Sequence, residues 1–211
     1  MDIHIRNLKV QLPDQNLPLF RIQNLSIPLG QKILIQGPSG MGKTTLLHIL
    51  AGLLTFAEGE VHLGQYSLEK MTDTEKSEFR RKHIRLIFQR LNLFEHLTCL
   101  ENLSFTYEET KIHQQEQALE SVNLLHLKNK LAGQLSLGEQ QRVAIARSLI
   151  QPSSFLFADE PTSSLDDLNT KKIMQALTEK SGSKTIICVS HDARIQPYFD
   201  RILDFQKVIQ S

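Results

Sequence analysis

Lys32-Ile-Leu-Ile-Gln36, running without a break into Gly37-Pro-Ser-Gly-Met-Gly-Lys-Thr-Thr45, sets the architecture of this chain. The first five residues form a short apolar run of strand length. The next nine satisfy G-x-x-x-x-G-K-[ST] through Gly37, Gly42, Lys43 and Thr44. Leu46, Leu47, Ile49 and Leu50 then recur at helical spacing as far as Gly52. Strand, glycine loop and helix in direct succession turn backbone N–H groups inward at a helix N-terminus, where they meet phosphate oxygens. In such a cradle, spanning Gly37 through Thr45, Pro38, Ser39, Gly40 and Met41 supply loop backbone. Lys43 reaches the β- and γ-phosphates, and Thr44 puts its hydroxyl on Mg²⁺. Four specified positions arise by chance in roughly one chain in a hundred of this length, and the flanking strand and helix make accident rarer still.

Two further segments belong with the loop. Phe155-Leu-Phe-Ala-Asp159 is an apolar strand ending in a carboxylate, with Glu160 next. Alone, a strand ending in Asp-Glu reads equally as a solvated loop. With a phosphate loop upstream, Asp159 is placed to hold Mg²⁺, and Glu160 to polarise a water for in-line attack on a γ-phosphorus. His191 follows the apolar run Thr185-Ile-Ile-Cys-Val189 and so stands at the carboxyl edge of a sheet, where ligands of open α/β sheets gather. A lone histidine is commonly structural or solvated, yet of the eight in the chain His191 alone has this position.

Around these segments the pattern is α/β. Ile3, Ile5, Leu8 and Val10, then Leu19, Ile22, Leu25 and Ile27, read as an opening β layer broken over residues 13–18. Residues 59–64 read as a hairpin strand, 73–82 as a charged helix and 84–88 as a strand delivering Gln89. Residues 91–134 turn helical and polar, with 113–127 the clearest amphipathic stretch. Helix (138–150), strand (155–158), helix (168–181), strand (185–189), helix and a final strand near 202–208 follow. No internal repeat is visible, so one α/β unit per chain is expected.

Composition narrows the function classes. With 24 Lys plus Arg against 23 Asp plus Glu, the formal charge of +1 supplies no basic field for nucleic acid or an anionic bilayer. The two cysteines, Cys99 and Cys188, suit a reducing compartment, with Cys188 reading as a buried strand thiol. No window approaches the ~18 apolar residues of a membrane span, so work at a membrane requires another chain as anchor.

Leu135-Ser-Leu-Gly-Glu-Gln-Gln-Arg-Val-Ala-Ile-Ala-Arg147 resembles the signature motif and following helix of ATP-binding cassette proteins. The resemblance implies an α/β phosphate-loop ATPase core with an N-terminal antiparallel β layer and an inserted α-helical subdomain. Residues 1–89 and 138–211 would form the core of a single nucleotide-binding domain, and 90–137 the helical signature subdomain. It implies a head-to-tail dimer with a second copy, each ATP pinned between one subunit's phosphate loop and the other's Ser136, Leu137 and Gly138. Gln89 resembles the residue that senses Mg²⁺ and the attacking water. Ser163-Ser-Leu-Asp166 resembles the loop joining the two sites, and His191 the switch histidine that contacts the γ-phosphate. For Asp166 an N-cap on the following helix explains the residue equally well.

This chain departs from the family pattern in two places, the signature and the adenine end. Leu137 stands where glycine is usual, adding bulk near phosphate at a position where φ > 0 would be strained, and Glu139 replaces a common glutamine. The aromatic ring that usually stacks on adenine should fall near Leu12, where none stands, leaving Phe20 as a distant substitute.

Phe88-Gln-Arg-Leu-Asn-Leu-Phe94 and Leu97-Thr-Cys-Leu-Glu-Asn102 are similar to the region of bacterial transporter ATPases that receives a coupling helix of integral membrane permease subunits. Leu91, Leu93 and Phe94 either make that contact or pack the subdomain's own core. Ala158-Asp-Glu-Pro-Thr162, with no regulatory domain expected after Val208, is similar to the lipoprotein-releasing and macrolide-exporter group, and polar amino-acid importers share much of the same pattern. The resemblance thus implies an ATPase at the cytoplasmic face of a membrane, peripheral through its partner. A regulator of a membrane complex is the alternative. DNA-repair or translation cassettes fit poorly, because the chain has neither a coiled coil nor a second cassette.

Overall fold

The computed structural model describes residues 1–11, 17–105, 111–150, 152–179 and 184–209. Along the chain come β1 (Ile3–Val10), β2 (Phe20–Ile27), β3 (Lys32–Gln36), α1 (Lys43–Leu50), β4 (Glu58–Leu63), β5 (Tyr66–Ser67), α2 (Asp73–His83) and β6 (Ile84–Ile87). Then follow α3 (Cys99–Ser104), α4 (Ile112–Ser121), α5 (Leu137–Leu149), β7 (Phe155–Asp159), α6 (Asp167–Glu179), β8 (Thr185–Val189), β9 (Arg201–Asp204) and α7 (Phe205–Val208).

The strands make two sheets. An antiparallel layer has the order β2-β1-β4-β5, and a parallel sheet has the order β6-β7-β8-β3-β9. Every residue of β7 and β8 is buried, which is why both read as unbroken apolar runs and not as alternating ones. The two-residue period still sorts their side chains between two cores. Ile33, Ile35, Phe155, Phe157, Ile187 and Val189 face the antiparallel layer and α1. Leu34, Leu156, Ala158, Ile186 and Cys188 face α3, α4, α5 and α6. Phe155, Phe157 and Phe205 are wholly buried, each contributing about 1.5–3 kcal/mol.

Several boundaries differ from the sequence reading. The amphipathic stretch 113–127 is not one helix: α4 stops at Ser121, Asn123 takes φ 58°, and only a 3₁₀ turn at Leu125–Leu127 follows. Asparagine tolerates that left-handed backbone, which a helix cannot include. The final strand ends at Asp204, whose side chain accepts from the Gln206 N–H at 3.0 Å and starts α7, so residues 205–208 are helical. Between β8 and β9 the chain makes a 3₁₀ segment, Ala193–Tyr198, containing Pro197, in place of an α-helix. The break expected over 13–18 falls largely on residues 12–16, outside the described residues, as do 180 and 181 at the end of the helix expected over 168–181.

Residues 90–137 contribute Cys99, Leu103, Ala118, Leu119, Val122, Leu124 and Leu135 to the same core as α5, α6 and the second face of the sheet. Asn102, wholly buried, organises the approach to α3: it accepts from the Phe94 N–H and donates to the carbonyls of Phe94, Leu97 and Thr98.

Candidate functional site

β3 lies between the central strand β8 and the edge strand β9 of the parallel sheet, and the loop it feeds opens onto the carboxyl ends of β7 and β8. There a cavity of about 420 Å³ is lined by Ser39, Gly40, Gly42, Lys43, Thr44, Thr45, Gln89, Asp159, Glu160 and His191, with Leu19 and Val189. Of the expected loop residues, Gly37 and Pro38 take part through their carbonyls, and Met41 packs against the first core.

Gly42 explains itself locally. It has φ 95°, and a β-carbon there would lie 2.6 Å from the Phe20 ring. Phe20 is therefore no substitute for an adenine-stacking ring. It is 4% exposed, packs edge-on against Phe205 at 5.4 Å, and supports the loop from beneath. Leu19 beside it is the apolar side chain that reaches the cavity. Leu12 lies outside the described residues.

The charged groups hold one another in place. Lys43 donates to the carbonyls of Gly37 and Pro38, both at 2.7 Å. Burial holds its ammonium below the ordinary lysine range, while Glu160 and Asp159 pull the other way. Thr44 Oγ1 donates to Asp159 Oδ2 at 2.7 Å. Asp159 is raised above the usual carboxylate range by burial first, with the Thr44 hydrogen bond opposing and the neighbouring Glu160 charge adding to the rise. The Glu160 carboxylate accepts from Ser190 Oγ at 2.7 Å and from the His191 N–H at 3.1 Å. The backbone of Glu160 has φ 47°, a left-handed conformation that persists only where the surroundings enforce it. Its N–H donates to Val189 O at 2.8 Å, and its carbonyl accepts from Gln141 Nε2 and Ser163 Oγ.

Thr44 and Asp159 present hard oxygens within hydrogen-bond distance of each other, and Gln89 lines the same cavity. This donor set fits Mg²⁺, which is held by one or two protein oxygens together with phosphate oxygens.

Ser136, Gly138 and Asp166 line a different cleft of about 380 Å³ with Glu139, Arg142, Ser164, Leu165 and Asn169; the two cavities share no lining residue. Ser136 caps α5 in a capping box: its hydroxyl accepts from the Glu139 N–H at 3.3 Å, while Glu139 accepts from the Ser136 N–H at 2.8 Å. Residue 139 thus has a local role as the N3 member of the box, one that glutamine would fill as well. Leu137 is the first residue of α5, 61% exposed, and is not among the residues with positive φ. The expected backbone strain is absent and only its bulk remains. Gly138 is required by close approach, since a β-carbon there would lie 2.9 Å from Ser164 O. Asp166 does cap α6, accepting from the Asn169 N–H at 2.8 Å.

Sequence reading missed Ser190, Gln141 and Leu19, whose partners are remote in the chain. It also missed a clamp on the His191 loop. Asp192 accepts from Thr162 Oγ1 at 2.7 Å, and Arg194 bridges Asp192, Asp167 and Leu165 O. Of the apolar residues after Gln89, Leu93 packs on the second core. Phe94 is 37% exposed, its ring 4.4 Å from that of Phe105. Both rings line a groove of about 420 Å³ with Phe88, Leu86 and Arg147.

Comparison with known proteins shows the family and the fold. The family model described as ABC transporter matches residues 20–163, more than half of the chain. The lipoprotein-releasing system ATP-binding protein LolD of Psychrobacter arcticus is 38% identical over 189 residues, covering 85% of this chain and 84% of that protein. An uncharacterised ABC transporter ATP-binding protein of Mycobacterium tuberculosis is 32% identical over 212 residues; the match covers 96% of this chain but only 64% of the relative's length. A solved ATP-binding cassette of Methanocaldococcus jannaschii, a dimer bound to ADP and Pi, superposes with a TM-score of 0.87 at 33% identity, covering 96% of this chain and 93% of that one.

Proposed function

The chain belongs to the ABC transporter family, and from that premise we propose that it is an ATPase subunit that binds ATP in the cavity around Lys43 and hydrolyses it through Glu160. One observation carries the reading: Lys43, Thr44, Asp159, Glu160 and His191 converge on a single cavity, with the Glu160 carboxylate fixed from two sides.

The backbone of residues 37–42 receives the phosphates at the start of α1. Lys43 releases the Gly37 and Pro38 carbonyls and turns to the β- and γ-phosphates. Thr44, Asp159 and Gln89 would hold Mg²⁺, which supplies charge neutralisation of the phosphate oxygens. Glu160 accepts a proton from water as the water oxygen bonds to the γ-phosphorus and the bond to the β–γ bridging oxygen breaks, leaving ADP and phosphate. His191, at the rim, contacts the γ-phosphate. Leu19 offers apolar contact to the base.

The site is completed by a second copy arranged head to tail, which brings Ser136, Leu137 and Gly138 to the nucleotide in trans and Asp166 to the seam. The dimeric cassette from Methanocaldococcus jannaschii supports this arrangement. Residues 90–137 then act as the helical subdomain, with residues 1–89 and 138–211 as the core. The Phe94–Phe105 groove receives an integral membrane permease subunit, which holds the chain at the cytoplasmic face of the membrane. Among the described residues no helix is long and apolar enough to cross a membrane. LolD, a lipoprotein-releasing ATP-binding protein, and MacB, a macrolide export ATP-binding/permease protein, support a transport role.

Glu160→Gln tests the reading. It is expected to bind ATP, lose hydrolysis and accumulate as an ATP-bound dimer in size-exclusion chromatography, whereas Lys43→Ala loses nucleotide binding. Hydrolysis at the wild-type rate by Glu160→Gln, or tight binding by Lys43→Ala, sinks the assignment.

A further inference from the structure

Gln141, 3% exposed on the second turn of α5, reaches two loops at once. Its Nε2 donates to the Glu160 carbonyl at 2.9 Å, and its Oε1 accepts from the Ser164 N–H at 3.1 Å. A carbonyl on one side and an N–H on the other leave the amide one orientation that satisfies both. Glu160, whose carbonyl it holds, is the left-handed residue, and Ser164, whose N–H donates to it, is the residue whose carbonyl lies against Gly138.

The N-terminus of α5 lines the cleft of Ser136 and Gly138, and one turn further on the same helix grips the backbone of Glu160. α5 is bedded in the core through Val143, Ile145 and Ala146, so it transmits a displacement of its N-terminus instead of absorbing it. The Glu160 carboxylate is tied separately, to Ser190 and His191. A shift of the Glu160 peptide relative to those anchors changes the aim of the carboxylate.

We propose that Gln141 is a positioning residue that links the Ser136–Gly138 cleft to Glu160 of the same subunit, so that nucleotide engaged at that cleft sets the carboxylate in the subunit's own phosphate cavity. The proposal rests on the ATPase reading above.

The test uses Gln141→Glu, which keeps an acceptor for the Ser164 N–H but loses the donor to Glu160, and Gln141→Leu, which removes both. A misplacement of about 1 Å costs on the order of 100-fold in rate. kcat is therefore expected to fall roughly 10- to 100-fold in both variants, with nucleotide affinity and KM within about twofold and the Hill coefficient for ATP falling towards about 1. Mixed dimers then assign the effect to a subunit. A Gln141→Glu chain paired with a Glu160→Gln chain should be slow. A chain carrying both substitutions paired with a wild-type chain should match a wild-type chain paired with Glu160→Gln. Slowing of the second pairing alone would place the effect across the interface, and equal slowing of both would show an effect not confined to the subunit's own Glu160; either overturns the proposal, as would an unchanged kcat in Gln141→Glu. Wild-type hydrolysis by the Glu160→Gln homodimer would instead overturn the role of Glu160 on which the proposal rests.

Discussion

Replacing Gly42 by alanine should cost far more than the addition of one methyl group suggests, and the structure divides that cost into two parts. The residue has φ 95°, and a side chain held in left-handed backbone costs about 1–2 kcal/mol. The added β-carbon would also lie 2.6 Å from Phe20 Cδ1, 2.7 Å from Phe20 Cε1 and 3.1 Å from Leu19 Cδ2. Phe20 has little room to retreat, because it is 4% exposed and packs edge-on against Phe205. Overpacking of this kind costs about 1–3 kcal/mol. The two parts act in the same direction, so Gly42→Ala should lose about 2–5 kcal/mol, a fall in Tm of roughly 4–20 °C for a chain of this size. Urea unfolding of the single variants and of the double variant with Phe20→Leu separates the parts. Once the ring is removed the backbone cost and the approach to Leu19 Cδ2 should remain, so that the ring's share appears as a coupling of about 1–3 kcal/mol between the two sites. A Gly42→Ala variant that loses less than about 1 kcal/mol, or the same amount with and without the Phe20 ring, refutes the reasoning.

Two other outcomes follow from particular residues. Leu137→Gly removes a bulky, 61% exposed side chain from the first position of α5. It should lower stability by up to about 1 kcal/mol through helix propensity while raising ATP-driven dimerisation and turnover; unchanged dimerisation and turnover argue against steric interference at the nucleotide. Stability should fall in acid. Glu75, Glu101 and Glu139 are held below the usual carboxylate range chiefly by backbone N–H groups at Thr72, Thr98 and Ser136, and Asp166 by that of Asn169. Carboxylates with depressed folded-state values contribute fully above their unfolded values and lose that contribution as pH falls through the folded ones. Asp159, raised by burial, runs the opposite way and offsets part of the loss. The urea midpoint followed from about pH 6 to about pH 3 should therefore decline, and a midpoint that rises towards acid contradicts the capping-box account.

How much was legible in advance differs from residue to residue for physical reasons. The strand, glycine loop and helix over residues 32–50 were readable because every requirement is local: apolar strand period, left-handed glycine, helix start. Asp159, Glu160 and His191 were readable from their places at the ends of apolar runs, since a buried parallel strand delivers its last residues to the sheet's carboxyl edge. The capping box of Ser136 and Glu139 is equally local, a serine with a glutamate three residues on, yet it was identified only once Glu139 was seen bonded back to the cap.

Sequence alone therefore determined the glycine loop after β3, the placing of Asp159, Glu160 and His191 at or just beyond the carboxyl ends of buried strands, and the α/β class, because each of these is written in a local pattern of glycine and apolar residues. Tertiary structure decided what depends on distant partners. Phe20 supports Gly42 instead of facing a base. Leu137 sits unstrained at a helix start. Gln141 reaches 19 residues along the chain to Glu160, which Ser190, a further 30 residues on, holds from the other side. A side chain's role in such a site is set by which backbone folds against it, and no local pattern of apolar and polar residues encodes that.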